Sequence, residues 1–307
     1  TPLYSSAASD VYKRQLYYLP NFIPIIQEMK RRGNYEIVAS IPAHMPESEQ
    51  SVFYDGCDDL HIDTIRKDRE QDRIQDIRKK AFDVIMVGNV GQLNEIVNDN
   101  TLAVMVYHGI GLKQSYYNDI DPRIDLRAVE SESRLAELKA HGHTNLTLTG
   151  FTKCDSLISC EDKIDLKSIE LNPNLKTVLY APSFYPTSLD QFLPILGKLS
   201  CEANIIVKLH NFSWYQDQYL YQSEVVQKLA EEFKHIYLAP PSDYNIIPYY
   251  KSADLLVSDI SSTMFEYLYL DRPIVMATCY SLRLKHRIFH KRFLKKMDLK
   301  FLFMKKS

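Results

Sequence analysis

The stretch from Ala253 to Ala277 constrains the fold of this chain more than any other. It begins with a short apolar run, Leu255-Leu256-Val257, which suits a strand buried on both faces. A polar turn follows, Ser258-Asp259 and then Ser261-Ser262-Thr263. After it Met264, Phe265, Leu268 and Leu270 set a helical pattern, and Ile274 to Ala277 is apolar again. Strand, polar turn, helix and strand in this order form the unit from which parallel sheets are built. The first N–H groups of such a helix have no internal partner. The helix dipole adds positive potential there, about 0.3–1 kcal/mol per charge, so a phosphate or pyrophosphate is a fitting occupant. The competing account of the same hydroxyls is an ordinary Ser/Thr helix cap.

The same alternation runs through most of the chain. In the first half, helix is expected over Asn21–Arg32 with Gly33 as its stop, then strands over Tyr35–Ser40 and Phe82–Val87. A short helix over Val90–Val97 and strands over Leu102–Tyr107, Leu126–Glu130 and Leu146–Thr149 follow, with a helix over Ser131–Ala140. The second half is more regular. Strands are expected over Thr177–Tyr180, Ile205–Leu209, His235–Leu238, Leu255–Val257 and Ile274–Ala277, separated by helices over Leu189–Leu199, Ser223–Phe233, Tyr244–Lys251 and Ser262–Leu270. Two parallel sheets flanked by helices follow from this, with ligands expected beyond the carboxyl ends of the strands.

Composition bounds the function. Of 307 residues, 45% are hydrophobic and 25% charged, which suits a globular chain. No apolar run reaches the length of a membrane span. The five cysteines show no zinc-ligand spacing and read as reduced thiols in a cytosol. Ten of the 37 Lys/Arg but only one of the 39 Asp/Glu fall from Thr278 onward, leaving 27 against 38 in the body. An acidic body argues against a nucleic-acid binder, whose basic face lies on the fold itself. The basic tail, with Phe289, Phe293, Phe301 and Phe303, reads either as a segment that docks on anionic lipid or as a truncated or frameshifted end. Ser5 to Gln15 resembles translated adapter, and residues 1–15 are set aside as non-native.

Polar groups collect at the expected strand ends. His108 stands between a buried strand and Gly109, in Tyr107-His108-Gly109-Ile110-Gly111-Leu112-Lys113. A general base suits its near-neutral titration; a histidine bonded to a loop carbonyl is the alternative. Gly109-x-Gly111 is half of a dinucleotide fingerprint and lacks the third glycine. Ser183 follows the 177–180 strand. Lys208 and His210 close another strand: Lys208 faces outward or reaches a phosphate, and His210 either donates to a leaving phosphate or is a surface turn residue. Glu266 holds a ribose or complements the helix start. Asp55, Asp58 and Asp59, beside Gly56, read as solvated turn residues in a polar loop rather than metal ligands.

Together these segments resemble the CDP-glycerol glycerophosphotransferase family, the teichoic-acid primases and polymerases. Residues 107–113 are similar to its W-H-G-T-P-L-K motif, Thr149 to Asp155 to T-G-x-P-R-x-D, Leu179 to Phe184 to L-Y-A-P-T-W, and Lys208-Leu209-His210 to K-L-H. Ala253 to Pro273 resembles S-D-V-L-I-T-D-Y-S-S-x-x-F-D-F-x-x-x-x-K-P. Departures stand at Ile110, Gly111, Thr152, Cys154 and Ile260. The resemblance implies an α/β, GT-B-like fold: an acceptor domain over 16–156 and a nucleotide-donor domain over 157–278, both Rossmann-like, with parallel sheets facing a cleft and a basic tail over 279–307. The first strand is expected to be lost beneath the adapter-like segment.

The implied activity moves glycerol phosphate from CDP-glycerol to a lipid-linked acceptor and releases CMP, at the inner face of the cytoplasmic membrane. His108 and His210 are the implied catalytic residues. Ser261, Ser262, Thr263, Ser183, Lys208, Asp259 and Glu266 face the donor, and Gly109 and Lys113 lie on the acceptor side. No cofactor, metal or nucleic acid is assigned. The alternatives are a GT-B glycosyltransferase or epimerase using a UDP or CMP sugar, and a non-catalytic nucleotide-binding scaffold.

Overall fold

The computed structural model describes residues 2–6, 18–91, 93–110, 117, 121–159, 163–259, 261–277 and 279. The chain divides into two α/β units, one ending at Ser156 and the other starting at Leu157.

The first unit holds seven strands: β1 (Pro2–Ser6), β2 (Glu36–Ser40), β3 (Asp63–Ile65), β4 (Val84–Val87), β5 (Leu102–Val106), β6 (Leu126–Val129) and β7 (Leu146–Leu148). Their order is β3-β2-β1-β4-β5-β6-β7, with every pairing parallel. Strand order reverses at β1, so the switch point lies between β1 and β4. β4 and β5 read as apolar runs because both of their faces are covered. Ile85, Val87, Ala103 and Met105 are all essentially inaccessible and join one core with Phe82, Ile96 and Val129.

The second unit repeats the plan with β8 (Thr177–Ala181), β9 (Asn204–Val207), β10 (Ile236–Leu238), β11 (Leu255–Ser258) and β12 (Ile274–Met276). The order is β10-β9-β8-β11-β12, again all parallel. Its switch point lies between β8 and β11. The helix Leu189–Leu199 buries Phe192 and Leu196 against the sheet, joining Tyr180, Ile205 and Val257 in a second core.

Several elements depart from expectation. The first strand is not lost: Pro2–Ser6 pairs with both β2 and β4, Leu3 lying opposite Ile37 on one side and Val84 on the other. The segment set aside as non-native thus supplies an interior strand, between β2 and β4. Asp55, Asp58 and Asp59 are exposed, but they lie on the helix Glu47–Asp59 rather than in a loop. That helix and Glu70–Lys80 escaped the periodicity argument because they are polar. Glu70–Lys80 carries only Ile74 and Ile77 as apolar residues and buries Arg73 instead, ion-paired to Glu70. The helix at Thr263 is α-helical only to Tyr267 and finishes as a 3-10 turn, Leu268–Leu270, shorter than the Ser262–Leu270 span expected. Thr278, Tyr280 and the basic tail from 281 on, with Lys113, lie outside the described residues.

The motif from Thr149 to Asp155 closes the first unit. Gly150 turns at φ +80, a backbone state that L side chains rarely adopt, and an added Cβ there would meet nothing within 4 Å. The turn leads into the 3-10 helix Thr152–Cys154, where the Thr152 hydroxyl donates to the Asn21 carbonyl at 2.7 Å. Gly150→Ala should therefore carry a purely backbone penalty. We expect a loss of about 1–3 kcal/mol in unfolding free energy, measured by urea denaturation. An unchanged midpoint would show that the turn tolerates a side chain.

Candidate functional site

The carboxyl ends of β8 and β11 meet at the second unit's switch point. Ser258 lies opposite Ala181 in the ladder, and its hydroxyl donates to the Ala181 carbonyl at 2.6 Å. Asp259 follows, wholly buried. Its carboxylate accepts from the Ser183 amide (2.6 Å), the Ser188 amide (3.0 Å) and the Ser188 hydroxyl (3.0 Å). The loop after β8 is thus fastened to the end of β11. Burial, with the Asp259 carboxylate nearby, pushes the Tyr180 phenol well above its ordinary value, so it remains protonated beside Ser188 at 2.8 Å. Burial and the same carboxylate also raise the Cys279 thiol.

Beyond Asp259 the three hydroxyl residues are half-buried. Ser261 Oγ accepts from the Thr263 amide at 3.3 Å, Thr263 Oγ1 lies 2.9 Å from Ser258 Oγ, and Ser262 Oγ donates to Glu266 at 3.2 Å. Locally they behave as helix-capping hydroxyls. Because the α-helix is only five residues long, few peptide dipoles align along it. Any anion here would draw chiefly on the amides and hydroxyls themselves.

β9 brings in Lys208, His210 and Asn211. Lys208 is buried, not outward-facing. His210 packs between Phe184 and Phe212, with ring centroids 4.7 and 4.8 Å away. Its Nδ1 accepts from the Phe212 amide at 3.2 Å. An amide can only donate, so the neutral imidazole carries its proton on Nε2. Asn211, which carries no motif signal, is buried beside it, and its Nδ2 has no hydrogen-bond partner among the described residues.

The first unit places His108 just past β5. Its Nδ1 lies 2.8 Å from the Gly88 carbonyl at the end of β4. A carbonyl can only accept, so here the proton sits on Nδ1 and Nε2 carries the lone pair. His108 is thus bonded to a loop carbonyl, one of the two readings its sequence context allowed. The imidazole stacks on Tyr18, centroids 4.2 Å apart and planes at 26°. Gly109 is buried behind it.

Two of the expected donor residues face inward. Asp259 is committed to the 183–188 loop. Glu266, 1% exposed, accepts from the Tyr250 phenol at 3.0 Å and from Ser262. A buried carboxylate in such a network positions its neighbours; it is not presented to a ribose. Motif spacing alone gives no signal of which way a carboxylate turns.

The geometry agrees with the sequence relationships. The model of the CDP-Glycerol:Poly(glycerophosphate) glycerophosphotransferase family matches residues 130–281. A teichoic acid glycerol-phosphate primase of Bacillus spizizenii is 33% identical over 126 residues, 38% of this chain and 30% of that protein. Over residues 130–281, just under half of its length, the chain is similar to the CDP-glycerol glycerophosphotransferase family. The match spans less than a third of the primase. Among solved structures, the wall teichoic acid polymerase TagF superposes with a TM-score of 0.61 at 15% identity, over 90% of this chain and 69% of that one. A variant of TagF soaked with CDPG gives 0.60 at 15%, covering 90% and 68%. A UDP-GlcNAc 2-epimerase from Neisseria meningitidis, bound to UDP-GlcNAc, gives 0.58 at 13%, covering 90% and 82%. At these identities the likeness is one of fold, the α/β GT-B class expected from the sequence.

In the second unit, Asp259→Ala should leave three donors without their acceptor, two of them buried. Each unmet buried donor costs about 1–3 kcal/mol, so unfolding free energy should fall by several kcal/mol in urea denaturation, and Asp259→Asn should lose less. Equal stability of wild type and Asp259→Ala would remove the clasp from the account.

Proposed function

We propose that this chain transfers glycerol phosphate from CDP-glycerol to the terminal hydroxyl of a lipid-linked glycerol phosphate acceptor. The supporting observation is the opposed tautomers of the two histidines, each imposed by a backbone group. His108 offers a lone pair at Nε2, as a base requires; His210 offers a proton at Nε2, as a donor to phosphate oxygen requires.

In the proposed reaction the acceptor hydroxyl oxygen attacks the phosphorus that bears glycerol. His108 Nε2 takes the hydroxyl proton. The bond from that phosphorus to the bridging oxygen breaks, and the electron pair leaves with CMP. His210, with Ser261, Ser262, Thr263, Ser183 and Lys208, holds the diphosphate and stabilises charge on the leaving phosphate. Asp259 and Glu266 hold these groups in place. Gly109 and Lys113 are assigned to the acceptor side. Among the described residues no helix is long and apolar enough to cross a membrane. We place the reaction at the inner membrane surface, where a lipid-linked acceptor presents its end, with the basic tail as the element that docks.

The fold is shared with UDP-GlcNAc 2-epimerases, but the sequence match over 130–281 favours the CDP-glycerol donor. Incubated with CDP-glycerol and a lipid-linked acceptor, the protein should release CMP. His108→Ala should lower the rate by about 10²–10⁴-fold, and His210→Ala by about 10²–10³-fold in kcat. Undiminished release from His108→Ala would refute the base assignment. Thermal stabilisation by UDP and not by CDP would move the donor to a UDP sugar.

A further inference from the structure

Tyr18 carries no role in the reaction proposed above, yet it is wholly buried and packed against His108. The face of its ring is covered by the imidazole, and its hydroxyl lies 3.5 Å from His108 Nε2. That distance is long for a hydrogen bond, and stacked planes align it poorly. The stack is therefore the principal contact. The Asn89 side-chain amide donates to the Tyr18 hydroxyl at 3.1 Å, fixing the far end of the ring.

The backbone end is fixed as well. Asn21 Nδ2 donates to the Tyr18 carbonyl at 3.2 Å, and the Thr152 hydroxyl donates to the Asn21 carbonyl. A proline at 152, as in the motif this segment resembles, has no hydroxyl to give. Gly88 completes the arrangement. A Cβ at Gly88 would lie 2.6 Å from Tyr18 Cδ2, nearer than real Cβ atoms come to a ring, while the Gly88 carbonyl receives His108 Nδ1. One residue therefore both admits the tyrosine and selects the tautomer of the histidine.

We infer that Tyr18 is a positioning residue for His108: its ring is the platform that holds the imidazole against the Gly88 carbonyl, so that Nε2 is the nitrogen presented to the acceptor hydroxyl. The inference rests on the base role proposed for His108 only for its consequence in catalysis; the tautomer it predicts stands independently. Displacing a catalytic group by about 1 Å can cost about 10²-fold in rate, so the platform is a sensitive element.

The test uses the full chain with 15N-labelled histidine, together with CMP release. In the wild type, long-range 1H–15N spectra should show His108 with a protonated Nδ1 and a bare Nε2. Tyr18→Phe should keep that pattern and most of the rate, since the stack survives. Gly88→Ala, which displaces the ring without removing it, and Tyr18→Leu should both mix the two tautomers. Both should lower kcat by about 10²-fold, with KM for CDP-glycerol within about twofold of wild type. If Tyr18→Leu fails to fold, Gly88→Ala and the wild-type spectrum still decide the matter. A wild-type His108 protonated on Nε2 would overturn the inference, as would an unaltered tautomer pattern in Gly88→Ala. Full activity in His108→Ala would instead overturn the base role, leaving the tautomer result as a separate finding.

Discussion

A backbone group at Nδ1 sets the tautomer of each of two imidazoles in this protein, His108 and His210. At His108 a carbonyl oxygen meets Nδ1 and forces the proton onto it; at His210 an amide meets Nδ1 and keeps the proton off. The two rings are chemically alike, and the fold presents a different main-chain group to Nδ1 of each. Parallel sheets make this economical. The strand before the histidine fixes its position, and the adjoining strand end or the following turn supplies the group that sets its tautomer. In the first unit that group is Gly88, at the end of the strand next to β5; in the second it is the amide of Phe212, where a short helix begins.

The second unit depends in the same way on one buried carboxylate. Asp259 stands at the switch point and gathers three donors from the loop after β8. The segments 179–184 and 253–273 lie far apart in sequence, and this contact makes them parts of one surface. The hydroxyls of Ser261, Ser262 and Thr263 then project from a rigid base. Ser261 and Thr263 now bond only neutral partners, an amide and a hydroxyl, for which a charged oxygen can compete, whereas Ser262 donates to the Glu266 carboxylate.

Much of the second unit was legible in the sequence, because its strands are short apolar runs and its helices carry clear apolar faces. Leu189–Leu199 has the limits expected. The first unit was harder. The helices Glu47–Asp59 and Glu70–Lys80 bury the polar Glu49 and Arg73 beside Phe53, Cys57 and Ile77, a mixture that period-counting scores as loop. The interior strand β1 was set aside on the origin assigned to its residues, a consideration that carries no physics. The strand-end rule singled out both histidines, which do lie just past strands β5 and β9. It did not find Tyr18, 90 residues from His108 and 71 from Asn89, nor the inward turn of Asp259 and Glu266. The one local sign available was Gly88-Asn89, directly after a buried strand beside the switch point.

The most direct test of the account is a crystal structure of the full chain with CDP-glycerol bound. The diphosphate should lie beyond the ends of β8 and β11, with a phosphate oxygen about 2.7–3.2 Å from His210 Nε2 and in contact with the Ser261–Thr263 turn. A diphosphate bound away from that turn, or one facing His210 through Nδ1, would contradict it.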